Sequence, residues 1–538
     1  MKKLTPVFYI SAFITISLIL WGAIAPGNLE EVTGNIQGVI TAQFGWFYLL
    51  AATSFLIVAL FLVVSPFGRI KLGRPDEEPE YNYITWFSFL FTAGMGIGLV
   101  FWGVAEPMYH FHYPPNENIT DFQAAGQALR YSFFHWGLHP WAIYAIVALV
   151  LAYFQFRKGY SGVISETLRP LIGDRVNGPI GTMVNVLVVF ATIIGVATSL
   201  GFGTMQISGG LSEISASIPN TFMTQLIIIV IITILYMLSA LTGLNRGIRI
   251  LSKANVYLAV ALMLFVLFLG PTTYIMGAFT QTLGNYFQNI ISMSFRMDPF
   301  DSESNWVQGW TIFYWAWWIS WAPFVGTFIA RVSRGRTIRE FVIGVLAVPT
   351  LFSALWFSVF GGTAISLDLF DNVGIMDVIE TNGMEVALFT VLQQFPFSTF
   401  ISILAVFLIC SFFITSADSA TFVLGMQTTN GRLNPPNSVK LVWGLIQSAA
   451  AAVLLASGGL GALQTAAIIA ALPFTIIMIF MIISLFKELR KEQLFLFQDK
   501  LSKLKMKEER LILKEEKFKL REENEVLKEQ LKKEKKKN

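Results

Sequence analysis

The chain has 538 residues, a mean hydropathy of +0.61 and 13% charged residues, where a soluble protein carries about 25%. Of its 72 charged side chains, 30 lie in the last 52 residues, leaving 42 for the first 486. A water-soluble fold cannot cover itself with so few charges, which excludes most cytosolic enzymes and secreted modules and predicts a polytopic membrane protein with a charged tail.

A hydrocarbon core of ~30 Å takes about 20 apolar residues per helix. Twelve stretches qualify, at 7–26, 45–67, 84–105, 131–156, 179–207, 222–242, 254–276, 308–330, 341–364, 397–427, 439–457 and 464–486. The predicted fold class is an all-α membrane protein with twelve transmembrane helices. The first stretch follows Met1-Lys2-Lys3 like a signal peptide, but it outruns the usual apolar region and is read as a retained helix. With the N-terminus in the cytoplasm, 36 of the 38 Lys and Arg residues fall on that side, all but Arg130 and Arg296. Both termini are therefore expected to be cytoplasmic. The single cysteine, Cys410, excludes an intrachain disulfide and cysteine-based metal sites. His135 and His139 stand one helical turn apart. They could share a metal, or simply occupy a helix face near the interface.

The third stretch contains Thr92-Ala93-Gly94-Met95-Gly96-Ile97-Gly98. Each glycine weakens a helix by about 1 kcal/mol against alanine. The run serves either close helix packing or an unwound segment whose backbone faces a cavity. The fourth stretch carries Trp136, Trp141 and Tyr144, which on one continuous helix point to about 0°, 140° and 80°. The eighth reads Trp315-Ala316-Trp317-Trp318-Ile319-Ser320-Trp321. Tryptophan collects at membrane interfaces, but this cluster lies well inside its span. Trp318 and Trp321 share a face, with Trp315 and Trp317 nearby. Ring faces attract a quaternary ammonium without any hydrogen bond, at about 0.5–2 kcal/mol per contact. Asp418 is the main mid-span carboxylate, so a net-neutral zwitterion is the expected ligand. The spans show no carboxylate pair, nucleophile–base set or metal cluster, which argues against an enzyme.

After Phe486 the chain turns to Lys, Glu and Leu. Met506, Leu513, Leu520 and Leu527 recur every seven residues, with Asn524 and Leu531 at the companion position. This predicts a helix, either a short coiled coil or a single helix with its stripe on the membrane. The net charge of +4 at pH 7 hides a tail of +6. Its basic residues suit anionic lipid head groups, and no nucleic-acid partner is implied.

The Gly94–Gly98 run, the Trp136/Trp141/Tyr144 set and the segment from Trp315 to Glu340 together resemble the betaine/choline/carnitine transporter family over roughly residues 5–485. The resemblance implies two N-terminal helices and a cytoplasmic loop (1–82). A first five-helix repeat (83–276) and an extracellular connection (277–306) would follow, then a second, inverted repeat of the leucine-transporter type (307–486) and the tail (487–538). It also implies a homotrimer in the cell membrane and a sodium-coupled carrier for glycine betaine or a related osmoprotectant, with no cofactor besides the coupling ion. The rivals are a carnitine or choline carrier, or a betaine-binding sensor that does not transport.

By position, Trp136, Trp141, Tyr144 and Trp318 would form the box for the trimethylammonium group. Trp317, Trp321 and Trp315 would line or adjoin the pathway, and the Gly94, Gly96 and Gly98 backbone would face the substrate. Choline-transporting relatives carry Asp where this chain has Gly98. One sodium ion would take the Ala93 and Met95 carbonyls, the Phe412 carbonyl and the Thr415 and Ser416 hydroxyls. A second would draw on Thr192 and Ser199, with Tyr144 and Phe324, although Val196 stands where some members have Thr. Sodium-independent relatives carry an Arg where this chain has the neutral Asn255. The arginine-rich loop at 331–336 would serve as a positive-inside anchor and, in the family, as a docking surface for regulatory tails. The basic tail would respond to ionic strength or lipid charge.

Overall fold

The computed structural model describes residues 4–94, 96–116, 118–242, 245–299 and 305–536. It is all helical apart from one isolated bridge between Lys71 and Thr337. In chain order the helices are α1 (Pro6–Ile24), α2 (Pro26–Val64), α3 (Tyr83–Gly94), α4 (Ile97–His112), α5 (Asp121–Trp136), α6 (Leu138–Ala152), α7 (Arg169–Ile172), α8 (Pro179–Ile214) and α9 (Phe222–Thr242). They continue as α10 (Asn245–Leu269), α11 (Thr272–Ser294), α12 (Phe313–Val332), α13 (Ile338–Asp371), α14 (Ile375–Asn382), α15 (Ala387–Leu392), α16 (Ser398–Gln427) and α17 (Asn437–Glu534).

Local sequence explains the helix starts. α1, α2 and α8 open on proline, whose missing N–H has no partner in a first turn anyway. α5 and α13 open on capping boxes, Thr120 with Gln123 and Thr337 with Glu340.

Among the described residues, nine segments are long and apolar enough to cross a membrane. The sequence predicts twelve, and the differences have physical causes. The stretch 84–105 is broken into α3 and α4, of 12 and 16 residues. The eighth stretch survives as α12, but four indoles and Pro323 lower its apolarity. The last two fall within α17, interrupted at Gly458 and Gly459. Gly459 has φ +57°, a conformation that favours glycine.

The chain divides into two compact units, Met1–Ile482 and Ile483–Asn538. Across the first, large apolar side chains stand exposed on several helices, among them Phe13, Ile57, Ile231, Phe268, Ile291 and Phe407. So much apolar surface suits lipid rather than water. The protein is a multi-pass membrane protein. In the second unit Met506, Leu513, Leu520, Leu527 and Leu531 form an exposed stripe on a helix.

Two close approaches bring α6, α8 and α12 together. A Cβ on Gly326 would stand 2.6 Å from Val147 Cγ1, and one on Gly195 would stand 2.9 Å from the Ser320 carbonyl carbon. Small residues at such crossings allow the backbones to meet.

In the arginine-rich loop Arg331 and Arg334 stand exposed, while Arg336 turns inward. The Arg336 side chain is buried between Trp86 (4.1 Å) and Tyr83 (4.5 Å) and donates to the Tyr81 carbonyl at 2.7 Å. Arg339 donates to the Val63 carbonyl at 2.6 Å, and Arg334 pairs with Glu77 at 2.5 Å. The Arg74 backbone N–H and the Arg334 guanidinium hold the Glu77 carboxyl below the usual range. We expect Arg336→Ala to lose two cation–π contacts and a buried hydrogen bond, destabilising the protein by about 2–4 kcal/mol. Thermal unfolding of the purified protein checks this, and an unchanged midpoint would refute it.

Candidate functional site

Two helix breaks organise the interior. α3 ends at Gly94 and α4 begins at Ile97, with Gly96 between them outside the helical region (φ −151°, ψ −145°). Met95 lies outside the described residues, as do the side-chain surroundings of Ala93 and Gly94. A break of this kind frees backbone N–H and C=O groups from the helical ladder. Both flanking glycines border predicted site residues. A Cβ on Gly96 would lie 4.0 Å from Ser416 Oγ, and one on Gly98 would lie 2.4 Å from Trp317 Cη2 and 3.2 Å from Trp136 Cη2.

The second break, at Gly137 (φ −99°, ψ −131°), separates α5 from α6. The single-helix angles expected for Trp136, Trp141 and Tyr144 therefore do not apply. Trp136 closes α5, while Trp141 and Tyr144 lie on the first two turns of α6. The break has a consequence for packing. Carbonyls in the last turn of α5 lack helical partners, and one of them, on His135, accepts the Trp318 indole N–H at 3.0 Å. On the other side, the Leu138 N–H donates to the Tyr286 hydroxyl at 3.1 Å.

Four predicted rings meet here. Trp318 touches Trp136 edge to face at a centroid distance of 4.8 Å and Tyr144 at 5.7 Å, and Tyr144 touches Trp141 at 5.6 Å. They are 1–3% exposed, so they face one another and not lipid. Trp317 stacks on Trp318 at 4.9 Å and Trp321 follows at 5.9 Å, with Phe324 stacked on Trp321 at 6.1 Å. Phe357 and Phe202 close the cluster against Trp136 and Trp317. The Tyr144 hydroxyl and the indole N–H groups of Trp317 and Trp321 are buried with no hydrogen-bond partner among the described residues. A buried donor without a partner costs about 1–3 kcal/mol, which a ligand acceptor recovers. Trp315 is not brought to this cluster. It stacks on His139 at 5.1 Å and touches Phe134.

The structure adds a residue that the sequence reading missed. Glu106, one position past the end of the predicted third span, is fully buried behind Trp136. One oxygen accepts the Trp136 indole N–H at 2.7 Å and the Tyr314 hydroxyl at 2.6 Å. The other faces His135 Nδ1 at 2.7 Å and His110 Nε2 at 3.2 Å. Asp418 is therefore not the main interior carboxylate, and a cluster of metal-ligand residue types does exist among the described residues. Both helical histidines are buried rather than interfacial. His135 also bonds Thr311 Oγ1 at 3.0 Å, and His139 bonds Ser294 Oγ at 3.0 Å.

The residues expected to hold sodium are only partly gathered. Thr415 donates to the Ser411 and Phe412 carbonyls at 3.0 and 3.2 Å and accepts from Asn255 at 3.3 Å. Ser416, one residue on, borders Gly96 at the α3–α4 break. Thr192 and Ser199 each bond back to their own helix, at 2.7 and 3.2 Å. They sit two turns apart on α8, about 10 Å along its axis, too far to share one ion. Thr192 turns instead to Gln427 at 3.3 Å.

These features define a class: a multi-pass helical membrane protein with an aromatic site sealed at two helix breaks. The chain belongs to the BCCT family of betaine/carnitine/choline transporters, whose family model matches residues 6–494. It is 57% identical to the glycine betaine transporter OpuD of Bacillus subtilis (strain 168), over 92% of this chain and 96% of that one. It is 47% identical to an ectoine/hydroxyectoine transporter of Virgibacillus pantothenticus, over 92% and 98%. It is 45% identical to a probable glycine betaine transporter of Desulfitobacterium hafniense (strain Y51), over 91% and 98%. Family and relatives indicate a transporter, not an enzyme.

Proposed function

We propose that this protein imports glycine betaine or a close trimethylammonium zwitterion together with sodium, by alternating access, as an osmoprotectant carrier. The observation that carries this reading is the buried cluster of Trp136, Trp141, Tyr144 and Trp318. Its ring faces suit a methylated cation, which has no N–H to donate. The unpartnered donors of Tyr144, Trp317 and Trp321 suit a carboxylate carried by the same ligand. Gly98 leaves no side-chain carboxylate in the α3–α4 break, which favours a zwitterion over choline. The cell membrane, cytoplasmic termini, twelve spans in two inverted repeats and a homotrimer complete the reading.

Sodium coupling rests on the region where Ser416 approaches the α3–α4 break, next to Thr415 and its neutral partner Asn255. Unwound backbone and hydroxyls of this kind supply the oxygens that sodium requires. Each sodium ion entering with a net-neutral substrate carries one charge, worth about 2.3 kcal/mol per 100 mV.

Radiolabelled uptake into proteoliposomes tests the proposal. Glycine betaine, proline betaine, ectoine, carnitine and choline are compared with sodium or potassium outside. We expect sodium-dependent uptake of glycine betaine and none of choline. Equal uptake in potassium would remove the sodium coupling. Binding without counterflow would convert the carrier into a sensor. The ectoine arm carries weight because a relative named for ectoine is nearly half identical.

A further inference from the structure

The cluster around Glu106 is a buried polar centre with four side-chain partners, and the transport reading above does not use it. Its carboxylate accepts from Trp136, Tyr314, His135 and His110, all at 2.6–3.2 Å. Two of these partners belong to the aromatic site. Trp136 is one of its walls, and the main chain of His135 holds Trp318.

The hydrogen bonds of the cluster are all met with neutral imidazoles and an ionised Glu106. His135 Nδ1 faces Glu106 at 2.7 Å and its Nε2 faces the Thr311 hydroxyl at 3.0 Å, an arrangement that a neutral imidazole satisfies by donating to the carboxylate and accepting from the hydroxyl. His110 donates from Nε2 to Glu106, and its Nδ1 has no partner. A neutral imidazole satisfies every bond here too. Tyr314 and Trp136 donate as neutral groups. With both imidazoles neutral, the set carries one negative charge, on Glu106. The same geometry speaks against a bound metal. Both imidazoles sit at hydrogen-bond distance from one carboxylate oxygen, and the second nitrogen of His135 is engaged by Thr311.

The geometry points to Glu106 as a specificity-determining residue, the fixed negative charge behind the Trp136 wall that makes the site select a cationic head group over an uncharged one of the same shape. A carboxylate bonded to an indole N–H pushes electron density onto the ring and adds its own field through it. Both effects strengthen a cation–π contact on the open face and do nothing for a neutral group. The desolvated surroundings keep that field from being screened. This inference rests on the aromatic-site reading, and the experiment separates the two.

The probes are glycine betaine and tert-butylacetate, which replaces the quaternary nitrogen by carbon and keeps the shape and the carboxylate. In proteoliposomes, Glu106→Gln keeps the size and an acceptor for the indole but removes the charge. The KM for glycine betaine is expected to rise about tenfold, the inhibition constant of the anionic tert-butylacetate to hold or fall because its carboxylate loses a repelling charge, and kcat to stay within about twofold. A parallel weakening of both ligands would mean that Glu106 only props the helices and would overturn the inference. So would no change in either. Stoichiometric zinc in the purified wild-type protein would also overturn it, because the charge would then be neutralised. If Glu106→Gln fails to survive extraction, Glu106→Asp serves. It keeps the charge one methylene further away, and a selective rise of about threefold for glycine betaine alone is expected. An equal rise for both ligands, or none, again overturns it. Normal glycine betaine uptake by Trp318→Leu would sink the aromatic site itself, whatever Glu106 does.

Discussion

Trp318→Leu is expected to raise the KM for glycine betaine by ten- to a hundredfold, with little loss of folded protein. Trp318 is the hub of the ring cluster, touching Trp136, Tyr144 and Trp317 at 4.8, 5.7 and 4.9 Å. Its removal takes away one ring face, at about 0.5–2 kcal/mol. It also frees the neighbouring rings from the edge-to-face packing that orients them, at about 0.5–1.5 kcal/mol per pair. The two losses together span roughly one to two decades in affinity. Trp315→Leu is the control. Its ring is buried against His139 and Phe134 on the other side of α12. Its loss should lower the thermal midpoint by opening a cavity and leave KM within about twofold. Concentration-dependent uptake, read beside the melting curve of each variant, decides the matter. Equal KM shifts in the two variants would remove Trp318 from the site.

Gly98→Ala is expected to reduce uptake at least tenfold while the protein remains in the membrane. The added methyl would stand 2.4 Å from Trp317 Cη2 and 3.2 Å from Trp136 Cη2. Trp317 cannot swing away freely. It is stacked on Phe313 and Trp318 and abuts Phe202. Forcing an extra carbon into packed rings costs about 1–3 kcal/mol in strain, and here the displaced groups are the site walls. Initial rates normalised to surface-labelled protein measure the effect. Uptake within twofold of wild type would show that the α3–α4 break tolerates a side chain. The aspartate implied for choline carriers at this position needs still more room than Trp317 leaves.

Much of this was legible beforehand because the chemistry is written in unusual residues. Tryptophans deep inside a span marked α12, while alternating glycines in an apolar stretch left the α3–α4 break open against close helix packing. Other features depended on what a linear reading cannot see. Gly137 ends α5 by its backbone angles, so a face calculated for one helix misplaced Trp136 against Trp141 and Tyr144. Glu106 sits a single position beyond an apolar stretch whose limits were set by counting, yet folding buries it completely. Arg336 looked like one more anchoring charge, and only tertiary packing slides it between Trp86 and Tyr83. Trp315 follows the same pattern: at 100° per residue it points about 160° from Trp317 and 120° from Trp321, onto His139. Thr192 and Ser199 share a helix face, but two turns of rise keep them from a common ion.

The burial of the four rings bears on how fast this machine runs. With 1–3% of their surface exposed, they are closed over by the described residues around them. A solute must wait until helices part, so the encounter is timed by the frame and not by diffusion, and association falls well below the collisional limit. Warming, or a more fluid bilayer, should then quicken loading and turnover in step. A tighter grip on the cargo would lengthen its stay without shortening the queue.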